Sequence, residues 1–597
     1  MYPARHAQLG QAPPVIPPEG FRSWAPYLAA ARWALPPLAL AVGLYSLTTA
    51  RVAAIGVYGL IQALPPGYFA ALAGLGVAIV VSWRSEKPQY GQFALAVVAL
   101  VILLQGAPSL IEAEPRFPPA WLHAGFTDYV AATGRVLPQV DARFSWPSFF
   151  TGMAMLARAG GLPNVIVLLK WWPAFINLLY LPPLFMLATR VLHDRRSAML
   201  ATGLFPLANW VGQDYYSPQS TAYFLYLVLL CIVLGPLRGS RPTLLPRWAL
   251  PARWRKEAPP EPAPLPVAYT VTLLAILAVL CAAMDTGHQL TPFFALAIVT
   301  ALAVLGRTRL AAWPVLMFLM AVGWVCYAAS AYWSGHFTQL FGSLGSLGVN
   351  ASNSLRLHGS PAHFRVDDVR LLIVGAIWLL AVVGFFCARR PPADRWAAAV
   401  LMVSPVVIVG GQSYGGEAGL RAFLFSLPGA LCLVAVALSA LARHLKAAAT
   451  GLVISLLIPS FLVARWGNEL SEMVQPPEIA GALALYRIAP PGSILMAITP
   501  QVFWQFTVPS VGGYKYRPNN LDEFHYGHVD EIAENLEGPN GGYVIITASQ
   551  LEYAQAAYDL PTSWGTGVER DLSRSHLFRL VYRNPDTVIY KYVGSAK

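Results

Sequence analysis

The chain has 597 residues, of which 56% are hydrophobic and only 12% are charged, about half the charged share of an ordinary soluble domain. That composition excludes a water-soluble enzyme of this size. The net charge of +12 is unevenly spread: residues 465–597 carry 10 Lys or Arg against 14 Asp or Glu, which leaves +16 on the first 464. The basic excess belongs to membrane orientation and not to nucleic acid.

In chain order, a polar, Pro-rich stretch from Met1 to Phe21 lacks the short apolar region and small-residue cleavage site of a secretory signal. Apolar runs then recur at the lengths a hydrocarbon-spanning helix needs: Trp33–Thr49, Gly67–Trp83, Phe93–Leu104, Val165–Leu187, Ser197–Gly212, Thr221–Leu234, Pro266–Met284, Pro292–Leu305, Leu310–Trp333, Leu371–Cys387, Trp396–Val409, Ala422–Leu441 and Thr450–Ala464. Val52–Leu64 is too short to span comfortably and reads as an interfacial helix. The expected fold class is an α-helical polytopic membrane protein of about 13 transmembrane helices with a small C-terminal α/β domain. Residues 1–26 form a tail, 27–464 the membrane domain with a long loop at 108–161, and 465–597 the extra-membrane domain. Strand-like runs at Tyr543–Thr547 and Thr587–Tyr592 and an amphipathic segment at Leu521–Leu536 support the last assignment. Pro259–Pro266 reads as a stiff polyproline-like linker, and no internal repeat is visible.

The connections alternate in charge. One set (84–88, 190–196, 238–256, 307–309, 389–395 and 443–446) holds 18 Lys or Arg in 45 residues, and the intervening set holds 6 in 110. The first set is expected to be cytoplasmic. An odd number of spans then places the amino terminus inside and residues 465–597 outside. Five cysteines, Cys231, Cys281, Cys326, Cys387 and Cys432, lie in or beside apolar runs with no CxxC pair, so neither a disulfide framework nor a thiolate metal site is indicated.

Ionisable residues at the bilayer are costly and mark function, and here they gather on the outer side. The 108–161 loop offers Glu112, Glu114, His123, Asp128, Asp141 and Arg143 among many aromatics, as if its segments lay along the membrane surface. Other outer helix ends add Asp214, Asp285, His288, Glu417 and Arg421. Glu417 and Arg421, four apart, also suit a simple helix-end ion pair. Lys170 stands five residues, about 7.5 Å at the helical rise, inside its predicted span, where it either snorkels outward or holds an anion. An outward pocket of carboxylates and fixed cations suits a phosphate-bearing lipid with a sugar headgroup. One carboxylate would take a proton from an acceptor hydroxyl while a cation or metal stabilises the departing phosphate. No Walker loop, GxGxxG, GxSxG or HExxH is present, so no nucleotide cofactor is expected.

The segments HAGFTDYVAATG, DARFSWPSFF, NWVGQDYYSPQ, YGGEAGLRAFLFSLP and FRLVYRNPDTVIYKY, together with the architecture from Phe93 to Lys597, resemble the GT-C superfamily of membrane glycosyltransferases and bacterial envelope glycosyltransferase-like proteins. The resemblance implies inverting transfer of a sugar from a polyprenyl-phosphate donor to a glycan, lipid or protein acceptor outside the plasma membrane. It implies an acid of the first outer loop as the base, with Asp128 favoured for its place between Phe126 and Tyr129 in an amphipathic segment, Asp141 second and Glu114 third, and with a divalent metal (Mg or Mn) on Asp128 and Asp141 as an open alternative. Lys170, Arg143 and Arg421 would bind the donor phosphate, and His123, Asp214, Asp285, His288 and Glu417 would line the sugar pocket. Trp504, Tyr514, Tyr516 and Trp564 would stack on the acceptor. The adjacent acid pair usual in that superfamily is missing. Three rival readings are a flippase or transporter of a lipid-linked glycan, a polymerase or ligase of polyprenyl-diphosphate-linked glycans, and a noncatalytic envelope scaffold.

Overall fold

The computed structural model describes residues 19–239, 263–334, 359–387, 394–410, 417–442, 444–517 and 529–594. Seven helices among them are long and apolar enough to cross a membrane, and this is a multi-pass membrane protein. They are α2 (Pro66–Arg84), α3 (Tyr90–Ile111), α7 (Trp172–Leu192) and the helices Val267–Asp285, Pro361–Cys387, Ala418–Ala440 and Lys446–Trp466. The other apolar runs fall on α1 (Glu19–Leu47), α8 (Arg195–Ala208), α9 (Pro218–Val233) and on short helices such as Thr291–Val304. Among the described residues, seven of the thirteen expected crossings are matched by a helix this long and apolar. Large apolar side chains such as Leu372, Leu379 and Phe386 stand exposed on the spanning helices, as lipid contact requires. Ala418–Ala440 is instead almost wholly buried and forms the axis of the bundle.

Val52–Leu64 does not make the expected interfacial α-helix. It folds as two 3-10 turns, Val52–Ala54 and Leu60–Ala63. Gly59, at φ 67°, turns the chain between them, and Pro65 and Pro66 end the segment. The Gly59 backbone lies against the carbonyl of Trp466, leaving no room for a Cβ.

The bundle has two chemically different ends. At one, the Arg-rich connections meet: Arg196 donates to the carbonyls of Ser85 and Glu86, and Arg307 pairs with Asp394 at 3.4 Å. At the other lie the 108–161 loop and residues from Arg465 onward. The loop folds into two helices, α4 (Pro118–Thr133) and α5 (Ser148–Ala159). Pro118 and Pro119 open α4, and Gly134 in the left-handed region closes it.

The tail builds one five-stranded sheet in the order β2-β1-β3-β5-β4 from β1 (Ile494–Ala497), β2 (Lys515–Arg517), β3 (Gly542–Thr547), β4 (Phe578–Asn584) and β5 (Thr587–Tyr592). β1 pairs in parallel with β2 and β3; β5 pairs antiparallel with β3 and β4. Alternate residues point to opposite faces. Leu495, Ala497, Tyr543 and Ile545 join the core that is continuous with the membrane helices, whereas Met496, Val544, Ile546 and Tyr590 pack under Trp564, Val568 and Leu572. Residues 502–506 dock on α4: Trp121 packs against Phe503 and Phe506, and a Cβ at Gly125 would stand 1.8 Å from the Gln505 carbonyl oxygen. Of the expected segments, residues 259–262 and 521–528 lie outside the described residues, and the second half of the amphipathic one forms the helix Val529–Asn535.

Candidate functional site

The tail-bearing end is organised by the short connection from α3 to α4. α3 stops at Ile111, Glu112 turns the backbone to an extended conformation, and the connection ends at Phe117 with φ 72°. That left-handed conformation is costly for an aromatic residue and persists only where the surroundings hold it. Here the Phe117 N–H donates to the Glu472 carbonyl at 2.8 Å, and its ring meets Tyr215 edge-on at 4.7 Å.

Lys170 is not embedded in a continuous span. The run read as Val165–Leu187 breaks into α6 (Ile166–Leu169) and α7, with Lys170 and Trp171 at the joint. Pro173 has no N–H to donate to Leu169, which removes one helical bond at this turn. The Lys170 ammonium donates to the Ala113 carbonyl at 3.1 Å, and its own carbonyl accepts from Ser109 Oγ. The lysine thus ties the start of α7 to the end of α3.

These elements enclose a narrow cleft whose polar lining is Gln105 and Ser109 from α3, Glu114 and Arg116 from the connection, Lys170 from the joint, and Tyr215. Burial pushes the Glu114 carboxyl above the usual carboxylate range, and Lys170 opposes the shift. Arg116 is held from behind: its guanidinium bonds Glu469 at 2.5 Å and also bonds Glu472, just beyond the last span, and it lies 4.8 Å from the Trp466 ring centre. Glu112 is buried beside Glu469, and burial first, then that neighbouring charge, pushes its carboxyl well above the usual range. Exposed apolar side chains Leu110, Val167, Trp171 and Phe175 flank the cleft residues along the same segments.

Asp214 does not line this cleft. Its two oxygens are taken by Arg465 at 2.8 Å and by Asn177 Nδ2 at 2.6 Å, and Asn209 bonds Asn177 in turn at 3.0 Å. Every member is nine-tenths or more buried. Asp214 is therefore the buried partner of an arginine on the last span.

The remaining predicted residues form a third set. His123 is stacked on Tyr215 and donates from Nδ1 to the Tyr216 carbonyl at 3.0 Å. Burial, then Arg143, lowers its pKa to about 3, so its ring is neutral. His288, pushed well down by burial, then by Arg421 and His123, accepts from the Thr291 N–H at 3.2 Å. Glu417 pairs with Arg421 at 2.7 Å across one helical turn. Asp141 accepts three bonds from Arg143, including a 2.6 Å ion pair, and Arg143 and its other neighbours hold its carboxyl low despite burial. Asp128 accepts from the Val165 N–H at 3.0 Å, and burial raises it to about 6. Asp285 ends its helix, buried, beside Thr286, which bonds Ser148.

The predicted residues therefore do not meet in one pocket. Glu114 and Lys170 share the cleft, Asp214 belongs to a buried ion pair, and the rest surround the His123–His288 region. A metal on Asp128 and Asp141 does not fit this arrangement: one caps a backbone N–H, the other is filled by Arg143, and among the described residues no three His, Cys, Asp or Glu side chains converge as ligands. Trp564 lies in the tail's core, Trp504 packs on Tyr516, and Tyr514 and Tyr516 donate to backbone carbonyls, which is structural use of the aromatics assigned to an acceptor. Residues that the sequence reading missed are Gln105, Arg116, Tyr215, Arg465, Glu469 and Glu472. Only Arg116 carried a local signal, a cation within four residues of two acids directly after a span.

No protein-family model and no curated protein matches the chain. Among solved structures it is similar to the arabinofuranosyltransferase AftD from mycobacteria, at 13% identity over 84% of this chain and 41% of that one, with a TM-score of 0.43. It is also similar to ArnT from Cupriavidus metallidurans, both bound to undecaprenyl phosphate (14% identity, 86% and 99% covered, TM-score 0.44) and in the apo state (12%, 84% and 98%, 0.42). The chain spans about two fifths of the mycobacterial protein and nearly all of ArnT.

Proposed function

We propose that the chain is a GT-C-type membrane glycosyltransferase that transfers one sugar, with inversion, from a polyprenyl-phosphate donor to a glycan, lipid or protein acceptor on the outer side of the membrane. The observation that carries this reading is the cleft shared by Glu114 and Lys170. It sets a carboxyl pushed up by burial against a cation, next to exposed apolar segments that suit a lipid tail.

A donor headgroup in this cleft would present its phosphate to the Lys170 ammonium and its anomeric carbon toward Glu114. The acceptor hydroxyl forms the new C–O bond, and its proton passes to the Glu114 carboxylate. The bond from the anomeric carbon to the phosphate oxygen breaks, and its electron pair leaves with the phosphate, stabilised by Lys170. Arg116, already engaged by Glu469 and Glu472, fixes the wall that carries Glu114. Asp128, half-buried and raised to about 6, is the second candidate base, and Asp141, engaged by Arg143, the third.

The test is Glu114→Gln in purified protein, assayed against a panel of polyprenyl-phosphate sugars. General-base loss lowers transfer by about 10²- to 10⁴-fold, with melting temperature and binding of polyprenyl phosphate unchanged. Full transfer in this variant moves the base to Asp128.

A further inference from the structure

Gln105 is the least expected member of the cleft. It lies on α3 six residues before the helix ends, about 9 Å further into the bundle at the helical rise, and is 1% exposed. Gln105 is among the residues lining the cleft, and neither of its buried amide atoms, Oε1 and Nε2, has a hydrogen-bond partner among the described residues. Such a group carries two donors and an acceptor, and burying them unmet costs about 1–3 kcal/mol each. Leucine or methionine would occupy the same volume on an apolar helix without that cost. The position therefore suits a group whose partner arrives with a ligand.

We propose that Gln105 reads the donor's sugar, its carboxamide bonding two adjacent hydroxyls of a neutral, hydroxylated sugar at the inner end of the cleft. This rests on the reading above and names the substrate class within it. The geometry follows from the side chain: Oε1 accepts from one hydroxyl while Nε2 donates to its neighbour, so a vicinal diol satisfies both ends at once. The amide is neutral, and it cannot compensate a buried charge. Aminosugars and uronic acids are thereby disfavoured at the substituents that reach it. The cleft has room for little more than a water molecule, so a sugar ring enters only as the side chains lining it shift, while the 112–117 connection stays held by Arg116 and Phe117. Ser109, one turn nearer the mouth, is already committed to the Lys170 carbonyl.

The test compares wild type, Gln105→Leu and Lys170→Met for melting temperature and for binding of three detergent-solubilised probes: polyprenyl phosphate, a polyprenyl-phosphate neutral hexose or pentose, and a polyprenyl-phosphate aminosugar. Gln105→Leu is expected to keep or raise the melting temperature, to leave polyprenyl phosphate affinity within twofold, and to weaken the neutral-sugar lipid by about 10- to 100-fold, the value of one or two hydrogen bonds. Lys170→Met is expected to weaken all three probes. A lower melting temperature with equal loss of every probe would make Gln105 structural and overturn the proposal, as would equal wild-type affinity for the neutral and amino sugars. If Lys170→Met leaves polyprenyl phosphate affinity intact while Gln105→Leu still loses the sugar, the phosphate assignment fails and Gln105 stands. If wild type binds no probe, the functional reading falls and takes this proposal with it.

Discussion

Two charged regions lie side by side at the tail-bearing end and are built from the same residue types, yet they differ in how completely their charges are matched. In the buried region, Asp214 is bonded by Arg465 and Asn177, and Arg116 by Glu469 and Glu472, through short contacts, although both Glu112 oxygens, Glu469 Oε2 and Arg465 Nε have no hydrogen-bond partner among the described residues. In the cleft, Lys170 spends its ammonium on one backbone carbonyl, Glu114 has no hydrogen-bond partner among the described residues, and Gln105 has none for either amide atom. The first arrangement locks the loop and the tail onto the spans. The second leaves groups whose bonding capacity a ligand can use.

The sharpest way to break that contrast is at Arg465. Both Arg465 and Asp214 are nearly inaccessible, so Arg465→Met strands a buried carboxylate and is expected to cost about 3–5 kcal/mol. The double variant Arg465→Met with Asp214→Leu should recover most of that loss in chemical unfolding of the detergent-solubilised protein. Equal stability of single and double variants would mean that Asp214 is not held by this arginine. In the cleft the same type of change has the opposite signature. Lys170→Met removes one bond to a carbonyl at a half-buried position, so stability should move by less than about 1 kcal/mol, while donor affinity falls by about tenfold or more. A stability loss as large as that of Arg465→Met would place Lys170 with the scaffold.

This contrast also marks what was legible in the sequence. Apolar runs and the charge alternation of their connections are local features imposed by the bilayer, and most of the runs fall on helices, although Val165–Leu187 breaks at Lys170, Leu310–Trp333 passes through a π-helical turn, and Trp396–Val409 ends in a 3-10 turn. β3 and β5 were legible because β-branched and aromatic residues crowd into short runs. The position of Lys170 was misread because the apolar run is continuous in sequence, whereas the helix breaks at Lys170 and Trp171, just before Pro173. Asp214 was misassigned for a different reason: its partner lies 251 residues away, and no local pattern reports a contact between a loop and the last span. Gln105 was invisible, since a glutamine in an apolar helix acquires meaning only when its surroundings show that nothing satisfies it. Charges at helix ends could thus be counted from the sequence, but their pairing required the fold.

The smallest effect, and the finest cut between the candidate bases, is at Asp128. Its folded-state pKa of about 6 lies above the ordinary 3.8 because burial disfavours the charged form, against a lowering contribution from the Val165 N–H. The native protein therefore binds the proton more tightly than the unfolded chain. The associated stability is fully present below pH 3.8 and is lost as pH rises through 6. Asp128→Asn stays neutral and keeps an oxygen for the Val165 N–H, so it should match wild type near pH 4 and exceed it at pH 8. Because Asp128 is only half-buried, solvent screening limits that gain to less than about 1 kcal/mol. If Glu114 is the base, transfer by this variant stays within a few-fold of wild type across the same range, whereas a loss of 10²-fold or more alongside the stability gain would make Asp128 the group that accepts the proton.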